Sequence, residues 1–296
     1  MIRRLIYILL FVILAGCEII HLPISVDPAE SKIAVSSLIG PEQTILVTAS
    51  ESFSALSAQS VDSLNQNFLD QVLLDRARLT LSYSGGTDTL FKIGNLAGFY
   101  GAQMEELEPY EPLTLTVFDS TSGSKVVAST PFLPPVSLDS VIYSREITEL
   151  DTTTHLTYRF QDRPEENYYV LHAYNLPTTN LIELALSDTA SADSIFVNQE
   201  LLFFETLITD ASAVDGIIRE EASIPLYAAN DTVAVALSHI SEGYYRFLQA
   251  RSRSGGLISS LANEPVNHPT NVEGGYGYFT AHQIRFSVVA VEDFEE

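Results

Sequence analysis

Six histidines, one cysteine and 38 carboxylates are the residues of this 296-residue chain that could carry chemistry. The histidines, His21, His155, His172, His239, His268 and His282, are scattered. Imidazoles bind metals or move protons when several converge with a carboxylate. The nearest set in sequence is His268, Glu273 and His282, which flank a stretch rich in glycine and aromatic residues. These three could meet on a metal, or serve only as loop hydrogen-bonders. Acidic runs at Glu149–Asp151 and Asp188–Asp193 could hold Ca²⁺ weakly or form a solvated acidic surface. The chain contains no Gly-x-Ser-x-Gly elbow, no P-loop, no dinucleotide fingerprint and no His-Glu-x-x-His. With 38 acids some carboxylates lie close by chance, so such pairs do not by themselves signal a glycosidase. The expectation is a protein that is not an enzyme, with no cofactor and no dedicated metal site.

Cys17 is different, because its setting is specific. Arg3 and Arg4 precede an apolar run, Leu5 to Leu14, which ends in Leu14-Ala15-Gly16-Cys17. About ten apolar residues are half of what a spanning helix needs, so residues 1–16 read as a signal peptide. The small residues directly before the sole cysteine look like a bacterial lipobox, in which the thiol receives a diacylglyceryl group; the alternative is an ordinary secretory signal, or a cytosolic protein with an apolar start, and a chance cysteine. Each buried lipid methylene contributes about 0.8 kcal/mol, and two or more chains anchor stably. Residues 17–32, with Pro23 and Pro28, read as a tether that reaches roughly 50 Å when extended at about 3.3 Å per residue.

Charge narrows the partners. Lys+Arg number 15 against 38 Asp+Glu, a net charge of −23. Loss of Arg3 and Arg4 with the signal peptide leaves 13 against 38, or −25. Phosphate backbones and anionic membrane surfaces repel such a body, so nucleic acid is excluded as a partner. A single cysteine excludes an intrachain disulfide and a cysteine-based zinc site. The absence of Trp removes the best platform for stacking sugars and cations.

The body must therefore be built by burial alone, and its pattern is β. Alternating or β-branched runs recur at Ile33–Val35, Thr44–Thr48, Ala77–Tyr83, Thr89–Ile93, Leu113–Phe118 and Lys125–Ser129. Ser84-Gly85-Gly86 and the loop Asp119–Ser124 close two hairpins. Leu64, Phe68 and Val72 admit a short helix within Ser63–Leu74. Three prolines in Thr130–Pro135 oppose a central strand and suggest a stiff linker. Further strands follow at Ser137–Tyr143, His155–Phe160, Asn167–Tyr174, Thr232–Leu237 and Ile284–Val291. The expected fold is all-β: two β-sandwich domains, Ig-like or carboxypeptidase-regulatory-like, at 33–133 and 136–296. One continuous large β domain is the alternative.

One short helix is expected in the second half. Ile240, Tyr244, Phe247 and Leu248 share a face, Ser238 or Ser241 can cap it, and Gly255-Gly256 ends it. Arg246, Arg251 and Arg253 lie toward its C-terminal end, where the helix dipole favours cations. They could contact an anion, or simply complement the dipole. Beyond the helix, Asn263–Ala281 interleaves glycines with Tyr276, Tyr278 and Phe279. Asn271, Tyr276, Tyr278, Phe279, Arg251 and Arg253 form the candidate binding surface, because tyrosine offers area at low entropic cost. The rival is that the rings plug the core beneath a glycine turn, and the residues leave both readings open. An extended segment would place Tyr276 and Tyr278 on one face and Phe279 on the other.

In their order, Cys17-Glu18, the hairpin at Gly85-Gly86, the Thr130–Pro135 boundary, Asp139-Ser140, Phe160 with Asn167-Tyr168-Tyr169, and the Asn263–Ala281 block resemble domain-of-unknown-function family 4249. This is a group of Bacteroidota outer-membrane lipoproteins. The resemblance spans nearly all of the mature chain and implies lipid anchoring at the outer membrane, with a TonB-dependent outer-membrane receptor as partner. It supplies no catalytic residues. A surface-export signal in such proteins is an acidic cluster after the cysteine. Here Glu18 is followed by Ile19, Ile20 and His21, so the side of the membrane stays open. The expected role is a non-enzymatic accessory or binding protein, the alternative a structural or adhesion module with no small ligand.

Overall fold

The computed structural model describes residues 30–40, 43–52, 72–94, 97–104, 107–147, 152–175, 202–224, 232–253 and 268–295. Cys17, the signal peptide, residues 63–71 of the short helix, the two acidic runs and Gly255-Gly256 lie outside them. Among the described residues the fold is all-β, with two curled sheets and one α-helix of twelve residues.

The first sheet takes β1 (Ile33–Ile39), β2 (Thr44–Glu51), β3 (Ala77–Tyr83), β4 (Gly86–Lys92), β5 (Phe99–Gln103), β6 (Pro112–Asp119) and β7 (Lys125–Leu133). It is completed from far along the chain by β15 (Val272–Glu273), β16 (Tyr276–Tyr278) and β17 (Ala281–His282). The strand order is β15-β7-β6-β3-β4-β5-β2-β1-β16, with β17 also on β7. The two ends, β15 and β16, are consecutive in the chain. The sheet therefore nearly closes on itself around Val35, Ile45, Leu79, Leu81, Leu113, Leu115 and Phe279. Period-two alternation explains this core, since the buried residues of β1, β2 and β6 fall at every second position.

The second sheet takes β8 (Ser140–Ile147), β9 (Thr152–Gln161), β10 (Tyr168–Asn175), β11 (Leu202–Thr209), β12 (Ala213–Val214), β13 (Ile217–Ile224), β14 (Thr232–Ile240) and β18 (Arg285–Glu295). Its order is β11-β10-β14-β18-β8-β9-β13-β12, with only β8 and β18 parallel. It curls over Tyr143, Leu156, Tyr158, Phe160, Tyr169, Leu171, Val235 and Leu237, and Ile208 of β11 and Ile218 of β13 belong to the same core. Helix α1 (Glu242–Arg253) lies on the opposite face of β10 and β14, burying Leu248 against Val170 and Ile240.

Three sequence expectations change. Residues 272–282, assigned with the C-terminal half, hydrogen-bond into the first sheet and cover the edges of β7 and β1 that would otherwise lie bare. Strand β7 runs through Pro131 to Leu133, past the start of the expected linker. Phe132 exchanges backbone bonds with Tyr110 and Glu111, so Pro131 faces the other side. There the pairing breaks between Ala128, opposite Val272, and Phe132, opposite Ala281, and a missing N–H is tolerated. Ile240 ends β14 and is not a helix residue. Ser241 is the N-cap, its Oγ accepting from the Tyr244 amide at 3.2 Å.

Candidate functional site

The returning segment is built as a closure. The Asn271 carboxamide donates to the Ser129 carbonyl (3.0 Å) and the Phe279 carbonyl (2.7 Å) and accepts from the Phe279 amide (2.9 Å), which mimics a strand partner. Phe279 is fully buried in the first core. Ser37 Oγ donates to the Thr280 carbonyl and accepts from its amide, both at 2.8 Å. The glycines are required by proximity: a Cβ on Gly275 would overlap the Ile33 carbonyl, and one on Gly277 the Val35 carbonyl. Gly277, between the two tyrosines, has φ +84, and Tyr276 and Tyr278 reach different neighbours. Lys32 Nζ sits 5.2 Å from the Tyr276 ring centroid, and Tyr278 packs under the helix.

That contact joins the two sheets. Tyr244 of α1 lies 5.3 Å from the Tyr278 ring and stacks on His282 at 5.5 Å, while Phe247 packs on Tyr278 at 5.6 Å. Burial pushes the Tyr244 phenol up to about 12 and the His282 imidazole down to about 3, with His172 and His239 adding to the second effect. His282 Nδ1 is hydrogen-bonded to Thr280 Oγ1 at 2.9 Å. His239 is also buried, and desolvation brings it down to about 4.

Arg251 does contact a carboxylate, but one of its own chain. Its guanidinium donates to Glu205 Oε2 at 2.7 Å, and His172 Nε2 meets the same oxygen at 3.0 Å. Burial raises the Glu205 carboxyl, but His172 and Arg251 outweigh that and hold it below the usual carboxylate range. The triad pins the helix to β10 and β11. The side chain of Arg253 lies outside the described residues.

The five candidates whose side chains are described thus do not converge. Asn271 and Phe279 are inside the first unit, Tyr278 fills the joint, Tyr276 borders Lys32, and Arg251 is spent on Glu205. His268 packs edge-on to Phe247 and His282 on Tyr244, so neither is turned to a shared metal with Glu273. No group of three or more His, Cys, Asp or Glu that could hold a metal occurs among the described residues.

A different surface does stand open. On the outer face of the second sheet, beside the helix, Phe286 is 48% exposed, Val288 66% and Ile142 43%. Phe286 leans on Tyr174 with ring centroids 6.0 Å apart. The signal was in the sequence: Ile284–Val291 carries apolar residues at both parities, and only one parity can face the core.

The chain matches the family profile of a domain of unknown function, DUF4249, over residues 20–285. It belongs to that family. The DUF4249 match covers the first sheet with its returning segment, the helix, and the second sheet except β18, of which it includes only Arg285. No curated protein matches the chain. Among solved structures it is similar to a Corynebacterium diphtheriae chain described as a membrane anchored protein, at 8% identity and a TM-score of 0.22. That alignment covers 73% of this chain and 56% of the other, so this chain spans about half of that protein's length.

Proposed function

We propose that this DUF4249 protein is a lipid-anchored outer-membrane lipoprotein. It acts without catalysis as an accessory or binding partner of a TonB-dependent importer. The observation that carries the reading is Leu14-Ala15-Gly16-Cys17, the sole cysteine directly after a signal-peptide core. Supporting it, no helix among the described residues is long and apolar enough to cross a membrane. The Arg251–Glu205–His172 triad holds α1, and the Asn271 and Ser37 contacts hold the returning segment. The exposed strip of Phe286, Val288 and Ile142 is of the kind that marks protein contacts.

The test is Cys17→Ser in the native envelope. The wild-type chain is expected to take up labelled palmitate and sediment with outer membranes, and the variant to do neither. Affinity purification from detergent extracts is expected to retain an importer with the wild-type chain. Label in the variant, or an intact wild-type chain with no importer, overturns the proposal.

A further inference from the structure

The outer face of the second sheet carries a charge arrangement at odds with the rest of the molecule. Arg219 of β13 and Arg159 of β9 are direct cross-strand partners, and both are exposed. Opposed side chains in an antiparallel pair stand roughly 5 Å apart, and like charges there destabilise. Neither guanidinium has a carboxylate partner among the described residues. The acids next to Arg219 on its own strand are engaged elsewhere: Glu221 pairs with His155 at 3.2 Å, and Glu220 accepts from the Tyr158 hydroxyl at 2.6 Å. A chain of net charge −23 has ample carboxylates to neutralise the pair and does not do so.

The pair lies in line with the apolar strip. Arg159 is opposite Ser140 of β8. The β8–β18 pairing starts at Tyr143 opposite Val291, and the Arg285–Ser137 hydrogen bond keeps the same offset, so the register carried back three residues sets Ser140 level with Val288. Val288 in turn is opposite Ala234, and Ala234 opposite Tyr174. One row across the sheet thus reads Arg219, Arg159, Ser140, Val288, Ala234, Tyr174, with Phe286 and Ile142 on either side of Val288. Helix α1 covers β10 and β14 but leaves this half of the face open.

We propose that this face is the docking site for a protein segment that carries apolar side chains next to carboxylates. The apolar strip supplies contact area, and the two guanidinium groups fix register by taking one or two carboxylates in forked hydrogen bonds. An anionic bilayer does not fit, because a plane feels the whole net charge of −23. A discrete carboxylate feels mainly what lies within a Debye length of about 8–10 Å. The inference rests on the reading of this chain as a docking protein, but not on which protein it serves.

The experiment replaces Val288 by a photo-crosslinking residue in the full-length anchored protein, irradiates cells and sequences the cross-linked peptide. The expected product joins a different polypeptide at a segment with Asp or Glu beside apolar residues. The double variant R159A/R219A is expected to cut the yield about 3–10-fold, the size of two partly exposed charge pairs. Arg219→Glu turns the repulsive pair into an attractive one. It is expected to raise Tm by about 1–2 °C while lowering the yield, a split that a structural arginine cannot produce. Cross-links to a second copy, to lipid alone, to a segment without acids or to nothing overturn the inference, as does a Tm that falls in R219E. If the segment is acidic but belongs to no importer, the docking site stands and the importer reading falls.

Discussion

His282 should make this fold acid-sensitive within a narrow window. Only 3% of the residue is exposed, and it stacks on Tyr244 of α1 and shares a hydrogen bond with Thr280. In the folded state its pKa is down at about 3, whereas an unfolded chain titrates near 6.5. Below pH 6.5 the unfolded state therefore binds the extra proton, and stability falls as pH drops toward 3. Full stability from this residue is present above pH 6.5. Each pH unit below is worth about 1.4 kcal/mol, so at pH 5 the loss is about 2 kcal/mol. His239, brought down to about 4, adds a similar loss over the same range. Together they predict a slope approaching about 2.7 kcal/mol per unit between pH 6 and 5. Glu205 acts in the same direction, but chiefly below the carboxylate range and so outside that interval. The assay is urea unfolding of the mature chain at half-unit steps from pH 7 to 5, for the wild type and His282→Gln. Whatever its starting stability, the variant's slope should fall by about half. An unchanged slope would refute the claim that a neutral imidazole is locked in this joint.

Two further substitutions probe the elements that position the joint. Gly277→Ala meets the Val35 carbonyl at φ +84, whereas Gly274, at φ +80, has its nearest atom, the Lys125 carbonyl oxygen, at an uncrowded 3.8 Å. Gly274→Ala should cost about 1–2 kcal/mol for the left-handed backbone alone, and Gly277→Ala clearly more, with amide protection lost along β1. Equal costs by urea unfolding would show that close approach to β1 is not what the glycine serves. Glu205→Gln leaves Arg251 and His172 facing a neutral amide in a largely buried site, which should cost about 2–3 kcal/mol and lower Tm by several degrees. A drop under about 2 °C would mean that the triad does not pin the helix.

Local pattern made much of this protein legible. Alternation in Ala77–Tyr83, Leu113–Phe118 and His155–Phe160 sets which side chains are buried, because a strand has only two faces. Spacing also exposed the helix at Glu242–Arg253, with Tyr244, Phe247 and Leu248 inward. The proposed lipobox at Cys17 is likewise a local pattern, read from Leu14-Ala15-Gly16-Cys17 without any fold.

What the sequence could not supply was pairing across distance. Whether Tyr276, Tyr278 and Phe279 bind or pack depended on β15 to β17 crossing from one unit to close the other, a contact between residues some 240 positions apart. Nothing in a window of ten residues records such a partner. The same holds for Arg251, whose carboxylate came from β11, and for Arg159 and Arg219, which are unremarkable in sequence and become a repulsive pair only through the register of β9 on β13. Side-chain parity is a local property of the backbone. Strand neighbours are set by which edges and apolar faces remain unsatisfied after every other strand has been placed, and only the assembled fold decides that.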